Sequence, residues 1–179
     1  MRLGVDEVGI TELMGVTEHA RGLTIAAEGL LLRSLEQSSG ALVPPLDPED
    51  VDGPVRSLLA EIAAWSANAM GQPGAPLLWR ILARNPHYLE ATWRKEGAVM
   101  GTGALAAHDK RRIALGVAMA TRGPYMVQYH AAVLRHAGDS DRDLLEVLGV
   151  ADYFTTLNTL AEGMQIESDI RPPETPSSS

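Results

Sequence analysis

No cysteine occurs among the 179 residues, so the chain cannot form a disulfide or run thiol chemistry. Aromatic residues are scarce at 4%, with a single Phe, which leaves Leu, Ala, Val, Ile and Met to build the core. Small and unbranched side chains of this kind suit close helix–helix packing better than a β-sandwich. Positive charge is in deficit. The net charge of −8 argues against nucleic-acid binding, which needs a basic face to displace counterions. No uncharged apolar run reaches the ~18 residues of a membrane span. The opening residues, Met1 to Glu7 (MRLGVDE), lack the apolar stretch of a secretory signal. These absences lead us to expect a soluble cytoplasmic protein without nucleic-acid or membrane partners.

What is present is helical patterning. At 45% hydrophobic and 21% charged residues, the composition is that of an ordinary globular protein, and no strand is needed anywhere. Residues 8–37 read as a helix with leucines thickening towards Leu30, Leu31 and Leu32. Pro44, Pro45 and Pro48 then rule helix out. We divide the chain into an N-terminal helical arm (1–40), a proline-rich linker (41–53), a helical core (54–165) and a disordered tail (166–179). Within the core, Val55, Leu58, Leu59, Ile62 and Trp65 recur at helical spacing. A short helix follows around residues 77–83. Asn85-Pro86 gives an N-cap followed by proline at the first helical position. The charge-free segment 113–121 reads as a helix surrounded on all sides. Gly123-Pro124 punctuates the next boundary, and Ser140 to Asp143 is a capping-box match for a last helix running towards Met164.

Residues able to carry chemistry are few. There is no phosphate-binding glycine loop, no HExxH motif and no metal-ligand spacing, so neither metal nor other cofactor is expected. On the helix that starts at Pro124, positions 126, 130, 133 and 137 share one face. His130 therefore points the same way as Met126 and Val133. It reads either as a hydrogen-bonded core histidine or as a working acid–base group. The cluster Lys110-Arg111-Arg112 beside His108 reads either as a solvated helix start or as an anion site. His19, His87 and His136 have no partner that spacing can name, and His108-Asp109 reads as a loop pair.

The run Asn85-Pro86-His87-Tyr88-Leu89-Glu90-Ala91, the uncharged helix, and Tyr125 followed by His130 together resemble the AhpD-like, carboxymuconolactone decarboxylase superfamily. The similarity spans about residues 43–165. The alkylhydroperoxidase branch carries E-x11-C-x2-C-x3-H, whose two thiols reduce peroxide. That spacing puts Arg111 on the glutamate, Gly123 and Met126 on the two cysteines, Tyr125 on a common tyrosine between them, and His130 on the histidine. Only the histidine survives among the four working positions. The decarboxylase branch runs without cysteine and places basic residues before the buried helix, although it carries a glutamate where this chain has Met126. The resemblance implies an all-α bundle assembled as a homo-oligomer, a trimer or hexamer. It also implies a lyase-type enzyme with His130 as general acid–base and Arg111, Arg112, Tyr125 and Met126 around a small anionic substrate. The alternative is a catalytically inactive scaffold that kept the fold for ligand binding or assembly.

Overall fold

The structure, a computed structural model, describes residues 6–35, 39–51 and 53–166. Helix α1, Glu7–Gly29, begins where the Asp6 carboxylate accepts the Gly9 N–H at 2.8 Å. Its buried stripe, Val16, Ala20, Leu23 and Ala27, has the 4-3-4 spacing of one helix face. The helix stops eight residues before the expected 37. Leu31 turns left-handed (φ 58°), Leu31 N–H bonds back to Glu28 O, and Leu32 N–H bonds to Ala27 O. This paired closure normally uses glycine. Leucine tolerates it because the turn carries Leu32 into the core, where it is 1% exposed. Arg122 (φ 59°) and Gln165 (φ 54°) close two later helices in the same way, with Gly123 and Ile166 as the next residues.

The proline-rich stretch is extended and tied down rather than free. Leu46 N–H bonds to Arg80 O, Arg80 Nε returns a bond to Leu46 O, and Arg84 Nε donates to Pro44 O. A short 3-10 turn, Pro48–Asp50, leads into α2, Gly53–Met70. Helix α3, Leu77–Leu82, is apolar nearly all round and sits in the centre of the core. Helix α4, Pro86–Met100, starts as the sequence predicts, with the Asn85 side chain accepting the Tyr88 N–H. Helix α5, Ala107–Ala120, is the hub: α1, α6 and α7 all pack on it. Helix α6 is Pro124–His136, and α7 is Asp141–Gly163 with the full Ser140/Asp143 capping box. Seven α-helices and no strand occur among the described residues.

Helix α1 is built into this bundle. It packs on α4, α5 and α6, and Leu23, Ala27 and Leu32 join the main apolar cluster with Trp79, Leu78, Met126 and Tyr129. The approach to α6 is so close that a Cβ on Gly123 would lie 2.3 Å from Thr24 Cγ2, so glycine is required there. The expectation for 113–121 is corrected. Ala114, Leu115 and Ala118 are buried, but Ile113, Gly116 and Val117 line an open groove of about 570 Å³ between α5 and α7. Helix α7 covers only part of α5's outer side. The tail expected over 166–179 falls, apart from Ile166, outside the described residues.

Candidate functional site

Four buried polar residues from four helices converge inside the bundle. His19 comes from α1, Glu96 from α4, Arg111 from α5 and His130 from α6, with exposures of 4%, 2%, 8% and 1%. Glu96 is the centre. Its Oε2 accepts the His19 Nε2–H at 2.7 Å and its Oε1 accepts an Arg111 guanidinium N–H at 2.5 Å. Burial alone would favour the neutral carboxyl; the Arg111 charge and the His19 hydrogen bond override it and hold the carboxyl at about 2. Glu96 is therefore a carboxylate at any physiological pH.

Aromatic rings wall this cluster. The Arg111 guanidinium lies over the Trp65 ring, 5.3 Å from its centroid. Trp65 stacks on Tyr129 at 5.8 Å, and Tyr129 meets His130 edge to face at 5.4 Å. Tyr129 is fixed in turn by the Trp79 Nε1–H, which donates to its hydroxyl at 3.3 Å. His130 has no hydrogen-bond partner on either ring nitrogen, and Arg111 Nη1 has none either. Burial first, then the neighbouring Arg111 charge, push the His130 imidazole down to about 3. It is a neutral base beside a cation.

The other sequence-derived candidates are dispersed. Arg112, one residue along α5, emerges about 100° round the helix, on a different face. It forms a two-pronged bond to Asp139 at 2.9 and 3.0 Å and lines the α5–α7 groove. His108 pairs with that same Asp139 at 2.8 Å rather than with Asp109. The Tyr125 hydroxyl accepts the Leu78 N–H at 3.0 Å, which satisfies a free donor in the first turn of α3. Met126 is completely buried in the main apolar cluster.

Sequence reasoning missed Glu96 and left His19 without a partner. A signal for both was available. Glu96 lies on the stripe Leu89, Trp93, Glu96, Met100, and His19 on the stripe Val16, His19, Ala20, Leu23. A charged or titratable residue inside an apolar helical stripe implies a buried partner. His130, Tyr125 and Met126 line none of the surface cavities described in this structure, which range from about 270 to 600 Å³. His19 does: it helps line a cavity of about 270 Å³ with Glu18, Gly22, Tyr88, Thr92 and Lys95, between α1 and α4. The cluster thus borders a surface cavity on its His19 side, while Arg111, at 8%, is its most exposed member.

An all-helical bundle with a histidine on the inner face of a proline-started helix, next to a charged residue on the preceding helix, defines a fold class. Comparison with known proteins gives that class its name. The family model described as "Carboxymuconolactone decarboxylase family" matches residues 86–166. A crystal structure described as the alkylhydroperoxidase AhpD core from Rhodospirillum rubrum ATCC 11170 is 30% identical. Its match covers 73% of this chain and 95% of that one, with a TM-score of 0.65. No curated protein matches the chain. The chain belongs to the AhpD-like, carboxymuconolactone decarboxylase superfamily, as a member without cysteine.

Proposed function

We propose that the chain is a cysteine-independent acid–base catalyst of the carboxymuconolactone decarboxylase type, acting on a small carboxylate or lactone-type anion. Without a thiol it cannot work as a thiol peroxidase. The observation that carries the reading is the trio of unpartnered buried atoms, His130 Nδ1, His130 Nε2 and Arg111 Nη1. Each buried polar atom left unpaired costs about 1–3 kcal/mol. A core selected only for packing would place Leu or Phe at position 130. In the proposed reaction a substrate oxygen accepts the Arg111 Nη1–H while the neutral His130 takes the proton from the adjacent carbon; the electron pair of that C–H bond passes into the enolate whose oxygen Arg111 holds, and His130 returns the proton to carbon as the enolate collapses. Glu96 fixes the guanidinium through its other nitrogen, so Nη1 presents a defined donor. Arg112 is engaged by Asp139 away from this cluster, which narrows the anion-holding role to Arg111.

One observation favours the scaffold reading. His130 is sealed to 1% exposure and lines none of the cavities described above, so a substrate reaches it only if the bundle opens. The two readings separate experimentally. A panel of small carboxylates and carboxylated lactones is screened by calorimetry and by loss of substrate NMR signals, using wild type, His130→Asn and Arg111→Met. Binding or turnover in wild type, lost in His130→Asn at unchanged helicity, supports the enzyme. Wild type silent across the panel, with His130→Phe more stable than wild type, supports the scaffold.

A further inference from the structure

The cavity between α1 and α4, about 270 Å³, has a buried histidine in its wall. His19 commits one ring nitrogen to the interior: Nε2 donates to the Glu96 carboxylate at 2.7 Å. That bond fixes the tautomer, so the neutral ring carries its lone pair on Nδ1. Nδ1 has no hydrogen-bond partner among the described residues and, unlike both nitrogens of His130, it is not sealed from solvent. Tyr88 and Thr92 line the same space, and neither hydroxyl has a partner among the described residues. The remaining wall is small and apolar. Leu23 is buried, and Gly22 leaves room, since a Cβ built on it would meet nothing within 4 Å. The charges bordering the cavity, Lys95 and Glu18, are exposed and pair with each other. The groove between α5 and α7 is larger, but no polar residue lining it is buried.

We infer that this cavity binds a small neutral aromatic alcohol, whose O–H donates to His19 Nδ1. The donor follows from the tautomer, because a lone pair at the base of the site selects a ligand that brings its own hydrogen. Neutrality follows from the charges. Glu96 stands behind His19 as a carboxylate, Glu18 borders the cavity, and Lys95 is already engaged, so an anion finds no free cation on this wall. The flat body follows from the Tyr88 ring and Leu23, which offer apolar contact on two sides. Size sets the limit. At about 270 Å³ the cavity falls just under the ~300–1,000 Å³ of sites for drug-sized ligands, which suits a single substituted ring. The ligand is neutral where the substrate proposed for His130 is anionic, and His130 does not line this cavity. The two readings therefore stand or fall separately, although Glu96 serves both, holding His19 with one oxygen and Arg111 with the other.

The probe is 4-fluorophenol, uncharged at neutral pH, titrated into the protein and followed by fluorine NMR. Fluorobenzene lacks the O–H and 4-fluorobenzoate carries a charge, so these two serve as comparisons. Wild type should bind 4-fluorophenol at least ~10-fold more tightly than either, because a site built to bond a hydroxyl rejects analogues without one. Gly22→Leu puts a side chain into the cavity without touching His19 or Glu96, and it should abolish binding. His19→Phe keeps a ring but removes Nδ1, and it should weaken binding by ~10-fold or more. If His19→Phe fails to fold, Gly22→Leu decides alone. No saturable binding in wild type means a cavity that holds only water. Equal binding of fluorobenzene means apolar adsorption, and tighter binding of 4-fluorobenzoate means an anion site. Binding of 4-fluorophenol that survives Gly22→Leu lies elsewhere on the molecule. Each of these four results overturns the inference.

Discussion

Acid should destabilise this protein through His130 before any carboxylate takes part, and the effect can be isolated by one substitution. The imidazole is held near 3 in the folded state against about 6.5 in the unfolded chain. Between those values the unfolded state binds a proton that the folded state refuses, so stability falls as pH falls. The contribution is complete above pH 6.5 and is lost progressively down to about 3. Each pH unit inside that window is worth ~1.4 kcal/mol. Glu96 acts lower: its carboxyl, held at about 2 against an ordinary 4.5, supplies stability that is lost only between those values. Between pH 6.5 and 4.5 His130 therefore contributes ahead of Glu96. Two units at ~1.4 kcal/mol give about 2.8 kcal/mol, a large part of the ~5–15 kcal/mol that holds a typical domain together. Urea unfolding at half-unit pH steps should show this slope in wild type. His130→Phe keeps a ring in the site and removes the titration, so the difference between the two curves cancels the other histidines. Curves that stay parallel within about 0.5 kcal/mol over the interval would refute the buried, unpartnered imidazole.

Two further perturbations probe the groups around it. Glu96→Gln leaves Arg111 buried without its carboxylate and should cost about 3–5 kcal/mol in chemical denaturation; Glu96→Gln combined with Arg111→Met should recover much of that loss. A cost below 1 kcal/mol for the single change would mean that the pair does not hold α4 to α5. Tyr125→Phe removes the acceptor of the Leu78 N–H, and an unpaired buried donor of this kind should cost about 1–3 kcal/mol, visible as a lowered Tm.

The helix boundaries were legible wherever a side chain or proline marks them. Asn85-Pro86, Gly123-Pro124 and Ser140 with Asp143 all act through local backbone chemistry, which spacing in the sequence records directly. The end of α1 was not legible. Leu30, Leu31 and Leu32 continue an apolar helical pattern, and nothing local shows that Leu31 turns left-handed to bring Leu32 into the core. For the site, the face of His130 followed from periodicity, and so did the burial of Met126. What periodicity cannot supply is which element lies opposite. Arg111 and Arg112 are neighbours in sequence but point from different faces of α5, one meeting Glu96 from α4 and the other Asp139 from beyond α6. Where a family spacing would place a carboxylate this chain has Arg111, and the buried carboxylate that pairs with it, Glu96, comes from a different helix.

The bond between His19 and Glu96 spans 77 positions of sequence, and its consequence is one of timing. Helix α1 leaves the ribosome with its apolar stripe and a bare imidazole exposed, and the surfaces that cover them, α4 and α5, are not yet made. At the ~5–20 residues per second of synthesis, the wait for Glu96 alone is about 4–15 s. During that time α1 has only weak local stability, because a helix in a protein takes most of its stability from the packing of its apolar face. The chain must therefore close this contact late, after the central helices exist. Growth temperature and chaperone supply should accordingly govern the yield of folded protein more than its equilibrium stability does.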